Sequence, residues 1–245
     1  MSVNAKDVDN HARNRPSPPP SEGASDLSGS IYQQLSEAIL SGEIRPGEKL
    51  SEPVLAQKLG ASRAPIREAI RRLQERGLVI HVANHGARVV SPSLADYLAL
   101  LDVREALEGM SARLAATEMS DDEVRDLQAL VRQHGEALHR DPSAGYIQGD
   151  PDTDFHVRVA RGSRNPVLAG LLCDQFYPLL QLCRRRHRTV AGRGLMAWKE
   201  HRRVIDAIAD RDPELAELLM RRHVKAAKEA LLSAFGADDR RAAEN

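Results

Sequence analysis

The chain contains 245 residues, of which 42% are hydrophobic and 29% are charged, and its acidic and basic residues are equal in number. This composition is ordinary for a soluble globular protein of one or two domains. No apolar run is long enough for a membrane-spanning helix, and residues 1–30 contain no apolar signal region. We therefore expect a cytoplasmic protein without membrane contacts.

Aromatic residues make up only 3% of the chain, so its core must be built from Leu, Ala, Val and Ile. Such a core suits packed helices better than a sheet, and we expect a mainly α fold. Cys173 and Cys183 are the only cysteines and lack the spacing of a metal or redox motif. We interpret both as packing residues.

The N-terminal part divides into an arm and a region of short helices. Residues 1–28 are rich in Pro, Ser, Asp and Asn and are predicted to form a disordered N-terminal arm. From residue 29 an apolar stripe predicts a first helix, and a turn at residues 45–47 separates it from a second, short helix. Ser51 is placed to cap that second helix, and Gly60 to end it.

A third helix follows a tight turn and has one apolar face and one basic face. Ser62 is placed to cap it, and Ile66, Ile70, Leu73 and Leu78 mark the inward side. Arg63, Arg67 and Arg71 recur every four residues along an exposed ridge. Guanidinium groups on such a ridge can bind phosphate oxygens or guanine, as in a DNA recognition helix, although a solvated charged face has the same pattern.

Two β-like runs follow, residues 78–80 and 87–90, and Ala83-Asn84-His85-Gly86 lies between them. Three helices followed by a hairpin predict a winged helix-turn-helix over residues 29–92. Residues 30–92 contain nine Lys and Arg against six Asp and Glu, a net charge of +3 in a chain whose total is zero. The positive charge is thus confined to the segment with the DNA-reading shape.

The remaining signals are all helical and predict an antiparallel bundle over residues 93–235, followed by a flexible tail at 236–245. Ser93 and Asp96 form a capping-box pattern at its start, and Asn165-Pro166 and Asp212-Pro213 are further helix starts. We expect one helix from about residue 150 to 160, one from 166 into the basic residues 184–186, and a last one that ends near Phe235.

Arg104 falls inside the apolar stripe of the first bundle helix. A buried arginine needs carboxylate partners, so one interpretation is an internal ion pair with Glu105 or Glu108. The functional alternative is a guanidinium group that binds the carboxylate of a ligand.

Four residues able to bind a metal lie at inward positions of three separate bundle helices: Asp152, His156, His201 and His223. Asp152 and His156 are four residues apart and therefore share one helix face. Taken singly, each histidine is more readily explained as a satisfied core residue. Their coincidence in an otherwise aliphatic interior leaves two interpretations open, core packing and a site for a divalent metal such as Zn, Ni or Mn.

The first domain resembles the DNA-binding domain of GntR-type bacterial transcription regulators. The resemblance covers about sixty residues and includes Leu50-Ser51-Glu52, Ser62-Arg63, Pro65-Ile66-Arg67-Glu68-Ala69 and Gly77-Leu78. It implies double-stranded operator DNA as the partner, and contacts to that DNA from Ser62, Arg63, Arg67, Arg71 or Arg72, His85 and Gly86. Pro53 stands where the fatty-acid-responsive members carry a DNA-contacting arginine, so that contact is expected to be absent.

The second domain resembles the FCD domain of the FadR subgroup of GntR regulators. The resemblance lies in Asp152-Thr153-Asp154-Phe155-His156, Arg161 to Pro166, Glu200-His201-Arg202 and Arg221-Arg222-His223. It implies that Asp152 and the three histidines hold a divalent metal in a pocket for small carboxylates, which Arg104 faces. The sequence is thus similar to the metal-containing branch of that subgroup.

These observations together predict a homodimeric DNA-binding transcription regulator, expected to be a repressor, whose operator binding a small carboxylate effector controls. We expect no enzymatic activity. The alternatives are a metal-dependent hydrolase or lyase with an attached basic domain, and a pure metal-sensing regulator. The sequence disfavours the enzyme, because it has no nucleophile motif. We also find no additional inward carboxylate or histidine that could serve as a general base.

Overall fold

The structure is a computed structural model that describes residues 22–140, 154–187 and 192–243. It contains an N-terminal winged helix and a C-terminal helical bundle, as the sequence predicts. Within the described residues, none of the helices combines the length and the hydropathy that a membrane span requires.

The winged helix is built from three helices and a two-stranded hairpin. The helices are α1 (Glu22–Ser41), α2 (Glu52–Leu59) and α3 (Arg63–Glu75), and the strands are β1 (Val79–Val82) and β2 (Gly86–Val89). The strands are antiparallel, with Val79 opposite Val89 and Val82 opposite Gly86. Ile66 and Leu73 on α3 are fully buried, as is Leu78 just after it, so the apolar face of α3 packs inward and its basic face is left to solvent.

The turn between α2 and α3 is formed by backbone geometry. Gly60 has a φ of 62° and ends α2 in the left-handed conformation, which glycine adopts at little cost. Ser51 and Ser62 occupy the N-cap positions of α2 and α3, but neither side chain makes a capping hydrogen bond. The expectation that their hydroxyl groups cap these helices is therefore wrong.

The bundle contains α4 (Leu94–Glu118), α5 (Asp121–Arg140), α6 (Phe155–Gly162), α7 (Pro166–Ala169), α8 (Tyr177–His187), α9 (Arg193–Ala209) and α10 (Pro213–Ala243). The capping box of Ser93 and Asp96 begins α4, and Asn165 caps α7 through the N–H groups of Val167 and Leu168. Aliphatic side chains of α4, α5, α6, α9 and α10 form one core, in which Leu127, Val204 and Met220 are fully buried.

Several helix boundaries differ from the predicted ones. Asp154 is the N-cap of α6, so that helix begins at Phe155 and not near residue 150. The helix predicted from residue 166 to 186 is divided by a π-helical segment, Gly170–Gln175, and a bend at Phe176. The last helix continues to Ala243, past the predicted start of the tail, and α1 begins at Glu22, inside the predicted arm. Residues 1–21 lie outside the described part of the chain.

The π-helical segment and α8 connect the bundle to the winged helix. Leu182 is buried within the winged-helix core, and Leu179 packs against the same core. Nη1 of Arg76, which follows α3, donates to the backbone oxygen of Asp174 at 2.8 Å. A displacement of this segment would therefore shift the C-terminal end of α3.

Candidate metal centre and DNA interface

Three of the predicted metal ligands meet inside the bundle. His156 on α6, His201 on α9 and His223 on α10 are all buried. Each offers a nitrogen atom, and these atoms lie within 4.8 Å of one another. The Nε2 atoms of His201 and His223 are 3.2 Å apart. The predicted fourth ligand, Asp152, lies outside the described residues.

Local packing fixes where these imidazole rings point. Phe155 is fully buried and stacks on the ring of His201, with 4.1 Å between the ring centroids. Oδ1 of Asp154 accepts from the backbone N–H of His156 at 2.9 Å and so sets the first turn of α6. Asp154 thus fixes the backbone of α6 beside the cluster.

Two carboxylates bind the outer nitrogens of the cluster. Oε2 of Glu108 accepts from Nδ1 of His156 at 2.8 Å, and Oε2 of Glu200 accepts from Nδ1 of His223 at 2.7 Å. A carboxylate has no proton to donate when ionised, so each Nδ1 carries the proton and each Nε2 keeps its lone pair. This is the arrangement in which metal-binding histidines are commonly held, and the donor set fits a divalent ion of the Zn or Ni type.

Burial and charge keep His223 neutral. Burial lowers the pKa of His223, and the charges of Arg193 and Arg104 lower it further, against the opposing effect of the hydrogen bond to Glu200. Burial alone would raise the pKa of Glu200, but the hydrogen bond from His223 and the nearby Arg193 outweigh it, so this pKa lies below its usual value. Both shifts favour a neutral imidazole beside an ionised carboxylate, the state that a metal ligand requires.

Arg104 forms the internal ion pair that the sequence offered as one of its two interpretations. Its guanidinium group is buried, Nε donates to Oε1 of Glu108 at 2.6 Å, and Nη2 lies 3.1 Å from Nε2 of His156. A cavity of about 10 Å³ lies beside Glu108 and His156, no larger than one water molecule. Its other lining residues are Val157, Leu172, Cys173, Tyr177 and Leu180. A ligand carboxylate would therefore have to displace side chains to reach Arg104.

Three charged residues border this site besides Arg104, and of these the sequence identified only Glu108, as a possible partner of Arg104. Glu108, Glu200 and Arg193 all border the cluster, and Nη1 of Arg193 donates to Oε2 of Glu200 at 2.8 Å. The conclusion that no additional inward carboxylate exists is therefore wrong. The pairing of Glu108 with Arg104 agrees with their spacing of four residues on the same stripe. Arg193 was not expected at the site, because it lies before Leu195, where the apolar stripe of this helix begins.

Cys173 borders the same cavity but is poorly suited to bind a metal. Burial raises the pKa of its thiol to about 11, so the thiol stays protonated at neutral pH. The packing interpretation fits this residue. The side chain of Cys183 lies outside the described part of the structure.

The predicted DNA-binding residues lie along α3 and in the turn of the hairpin, and their side chains differ in exposure to solvent. Ser62, the N-cap of α3, is exposed, and so are Arg63, Arg67 and Arg71 on that helix. Arg72 is partly buried, and its guanidinium group lies 4.5 Å from the centre of the Tyr32 ring. His85 is exposed in the turn of the hairpin, and Gly86 begins β2 with a φ of 80°. Arg72 is thus held toward α1, while the other side chains are accessible from solvent.

The family models match both domains. The model for bacterial regulatory proteins of the gntR family matches residues 27–89, and the FCD domain model matches residues 99–226. These ranges coincide with the winged helix and with most of the bundle.

Relatives agree with this assignment, and a solved structure shares the fold. The chain is 29% identical to an uncharacterized HTH-type transcriptional regulator of Bacillus subtilis, over 76% of this chain and 83% of that protein. It is 30% identical to a probable D-xylose utilization operon transcriptional repressor of Paenarthrobacter nicotinovorans, over 77% of this chain and 81% of that protein. A transcriptional regulator structure from Rhodococcus has the same fold, with a TM-score of 0.67, 24% identity, and coverage of 85% of this chain and 99% of that one.

Proposed function

The chain belongs to the GntR family of bacterial regulatory proteins, carries an FCD domain and is a DNA-binding transcription regulator; we propose that a small organic acid, bound at a metal site in the bundle, controls its binding to operator DNA. The observation that carries this proposal is the convergence of His156, His201 and His223, with the Nδ1 atoms of two of them held by buried carboxylates. The protein acts as a repressor, and the acid releases it from the operator. The Paenarthrobacter relative is likewise named as a repressor.

His156, His201 and His223 are the described residues that would hold the metal, and Asp152 is the proposed fourth ligand. A bound Zn, Ni or Mn ion would supply a positive charge that attracts a ligand carboxylate. The chain itself supplies the second attraction through Arg104. Because Arg104 is paired with Glu108, the acid takes the place of Glu108 as the carboxylate partner of that guanidinium group.

The route from the site to the DNA runs through the π-helical segment and α8. Leu172, Tyr177 and Leu180 border the cavity beside His156. Leu179 and Leu182, on the same segment, pack against the winged-helix core. An acid that enlarges the cavity therefore displaces a segment that packs against the winged helix. This displacement favours a different position of α3, the recognition helix.

The regulator acts as a homodimer. One winged helix reads only a short half-site, and two heads related by a twofold axis lengthen the site and multiply its specificity. Exposed apolar side chains on α4 and α10 supply surface for a second copy, among them Val103, Met110, Leu215 and Leu218. Sedimentation of the purified protein at micromolar concentration tests this point, with twice the mass of 27.0 kDa as the expected result.

A pure metal-sensing regulator is the second candidate, and one observation favours it. Arg104 already has a carboxylate partner, and the cavity beside it holds no more than about one water. In that case metal alone would change DNA affinity. We expect no catalytic turnover, since the relatives reported above are named as transcriptional regulators or repressors.

The proposal is tested in two steps on the full-length protein. Elemental analysis of the purified protein should find about one divalent metal per chain, and a thermal-shift screen of small carboxylates should identify a stabilising acid. A ligand at a hundred times its Kd adds about 2.7 kcal/mol to the stability of the folded state. Fluorescence anisotropy on a duplex selected from a random library then separates the candidates. Release of DNA by acid and metal together supports the acid receptor, and release by metal alone supports the metal sensor.

A further inference from the structure

Arg67 on the exposed ridge of α3 is held by Glu52, the first residue of α2. Its Nε donates to Oε1 of Glu52 at 3.2 Å, and its Nη2 donates to Oε2 at 3.0 Å. The pair bridges the two helices of the helix-turn-helix, and the arginine side chain is still 69% exposed. The hydrogen bond from Arg67 lowers the pKa of Glu52, and the charges of Arg67 and Arg63 add to this effect, so the carboxylate is ionised at neutral pH.

The contact with Glu52 uses one edge of the guanidinium group and leaves the other available. A guanidinium group has five N–H donors in a planar fork. Glu52 occupies Nε–H and one hydrogen of Nη2, and within the described residues no hydrogen bond of Nη1 is found. The end formed by Nη1 and the second hydrogen of Nη2 can therefore still bind O6 and N7 of a guanine as a bidentate pair.

The neighbouring arginine lacks this freedom. Nε and Nη2 of Arg71 donate to Glu68 at 2.9 Å and 2.6 Å, and its Nη1 is paired with Glu75. Both edges of Arg71 are thus occupied by carboxylates. To contact a base, Arg71 must first give up a partner, whereas Arg67 need not.

We propose that Glu52 is a positioning residue that orients Arg67 for base recognition, so that Arg67 and not Arg71 reads sequence on this ridge. A side chain that is already held in place loses less rotamer freedom when it binds. The carboxylate also stands beside the DNA-binding ridge, where it repels phosphates that approach in the wrong register. Glu52 therefore increases the ratio of specific to nonspecific affinity.

The test compares Glu52→Gln with Glu68→Gln, which removes the matching carboxylate of Arg71. A duplex is first selected from a random library with the wild-type protein, and anisotropy then measures Kd for this duplex and for a shuffled one. Glu52→Gln should lower the specific-to-nonspecific ratio by about tenfold and relax the preference at one base pair, since a good bidentate pair carries discrimination of that order. Glu68→Gln should leave the ratio within about twofold, and both variants should melt like the wild type because both carboxylates are surface groups.

A double-mutant comparison excludes an indirect effect of Glu52. In the Arg67→Ala background, Glu52→Gln should no longer change the ratio, because the arginine that it positions is gone. The proposal is overturned if Glu52→Gln keeps the wild-type ratio and base preference. It is also overturned if the ratio falls equally with Arg67 present or absent, since Glu52 would then act on DNA binding by another route.

Discussion

Glu200 accepts a hydrogen bond from Nδ1 of His223 at 2.7 Å, and this contact directs Nε2 of His223 toward His201. The contact joins two helices, because the carboxylate lies on α9 and the imidazole on α10. It selects the tautomer of His223 with its lone pair on Nε2. Glu200 therefore belongs to the candidate metal site although it is not itself one of the converging ligands.

Glu200→Gln should weaken metal binding without unfolding the protein. The glutamine keeps an oxygen acceptor but loses the charge that fixes the histidine, and such changes typically lower metal affinity by about 10–100-fold. Titration calorimetry with Zn measures the effect on metal-free protein. The control is Glu229→Gln on the exposed face of α10. Equal Zn affinity in the wild type and Glu200→Gln would remove Glu200 from the site.

Arg104→Met should destabilise the fold by about 3–5 kcal/mol, because it leaves the carboxylate of Glu108 buried without its cationic partner. The double variant Arg104→Met with Glu108→Gln should recover much of this loss, since its buried amide is neutral and can still accept from His156. Urea unfolding measures both. Because Glu108→Gln also weakens the hold on His156, this variant is tested with saturating Zn, and there we expect the response to acid to be absent. A double variant that still responds to acid would show that Arg104 does not bind the effector.

Arg67→Ala should cost about 1–3 kcal/mol of binding to the selected duplex, as expected for an arginine that reads a base. Arg71→Ala is the matched control one turn along the same helix. It should cost clearly less, since both edges of Arg71 are already paired with Glu68 and Glu75. Equal losses in the two variants would contradict the distinction between these arginines. Thermal melting of both should match the wild type, since both side chains are exposed.

Acidification should remove metal-linked stability. Metal binding requires neutral imidazoles, so protons compete with the ion as the pH falls below about 6.5, the usual histidine pKa. The lowered pKa of His223 acts in the same direction in the metal-free protein. A histidine whose folded pKa lies below its unfolded value contributes stability above the unfolded pKa and loses it as the pH falls through the folded pKa. Stability should therefore decline from neutral to acidic pH.

A chelator separates these two contributions. At about pH 7.5 it should lower the melting temperature of the metal-loaded protein, and at about pH 5 it should change little because protons have already displaced the ion. The bundle should remain folded without metal, since its aliphatic core is extensive. The metal site is contradicted if the protein takes up no metal and melts at the same temperature with and without chelator at pH 7.5. The three histidines would then be packing residues of the core.

The sequence was sufficient for the fold because the relevant signals are local. The apolar stripe of α3, the glycine that ends α2 and the capping box of Ser93 and Asp96 each involve residues within a few positions of one another. The π-helical segment was not predictable in this way. Leu168, Leu171 and Leu172 continue a helical pattern across it, and only Gly170 is a weak sign of irregularity.

The site was predictable in its histidines but not in its hydrogen-bond network. Periodicity places His156, His201 and His223 on inward faces, yet it cannot show that their nitrogens converge. Glu200 illustrates the difference: it is adjacent to His201 in sequence but binds His223, and only the packing of α9 against α10 decides this. The pairing of Glu52 with Arg67 also depends on the angle between two helices, which a linear pattern does not give.

The measurement that tests the central claim most directly is the acid response of DNA binding when the histidine cluster is removed. His201→Ala with His223→Ala should bind the selected duplex with the affinity of the wild type, because the recognition helix is unchanged, but should bind no metal. Addition of the acid found by the thermal screen should release wild-type protein from DNA and leave this variant bound. Release of the variant by the same acid concentration that releases the wild type would contradict control through the metal site.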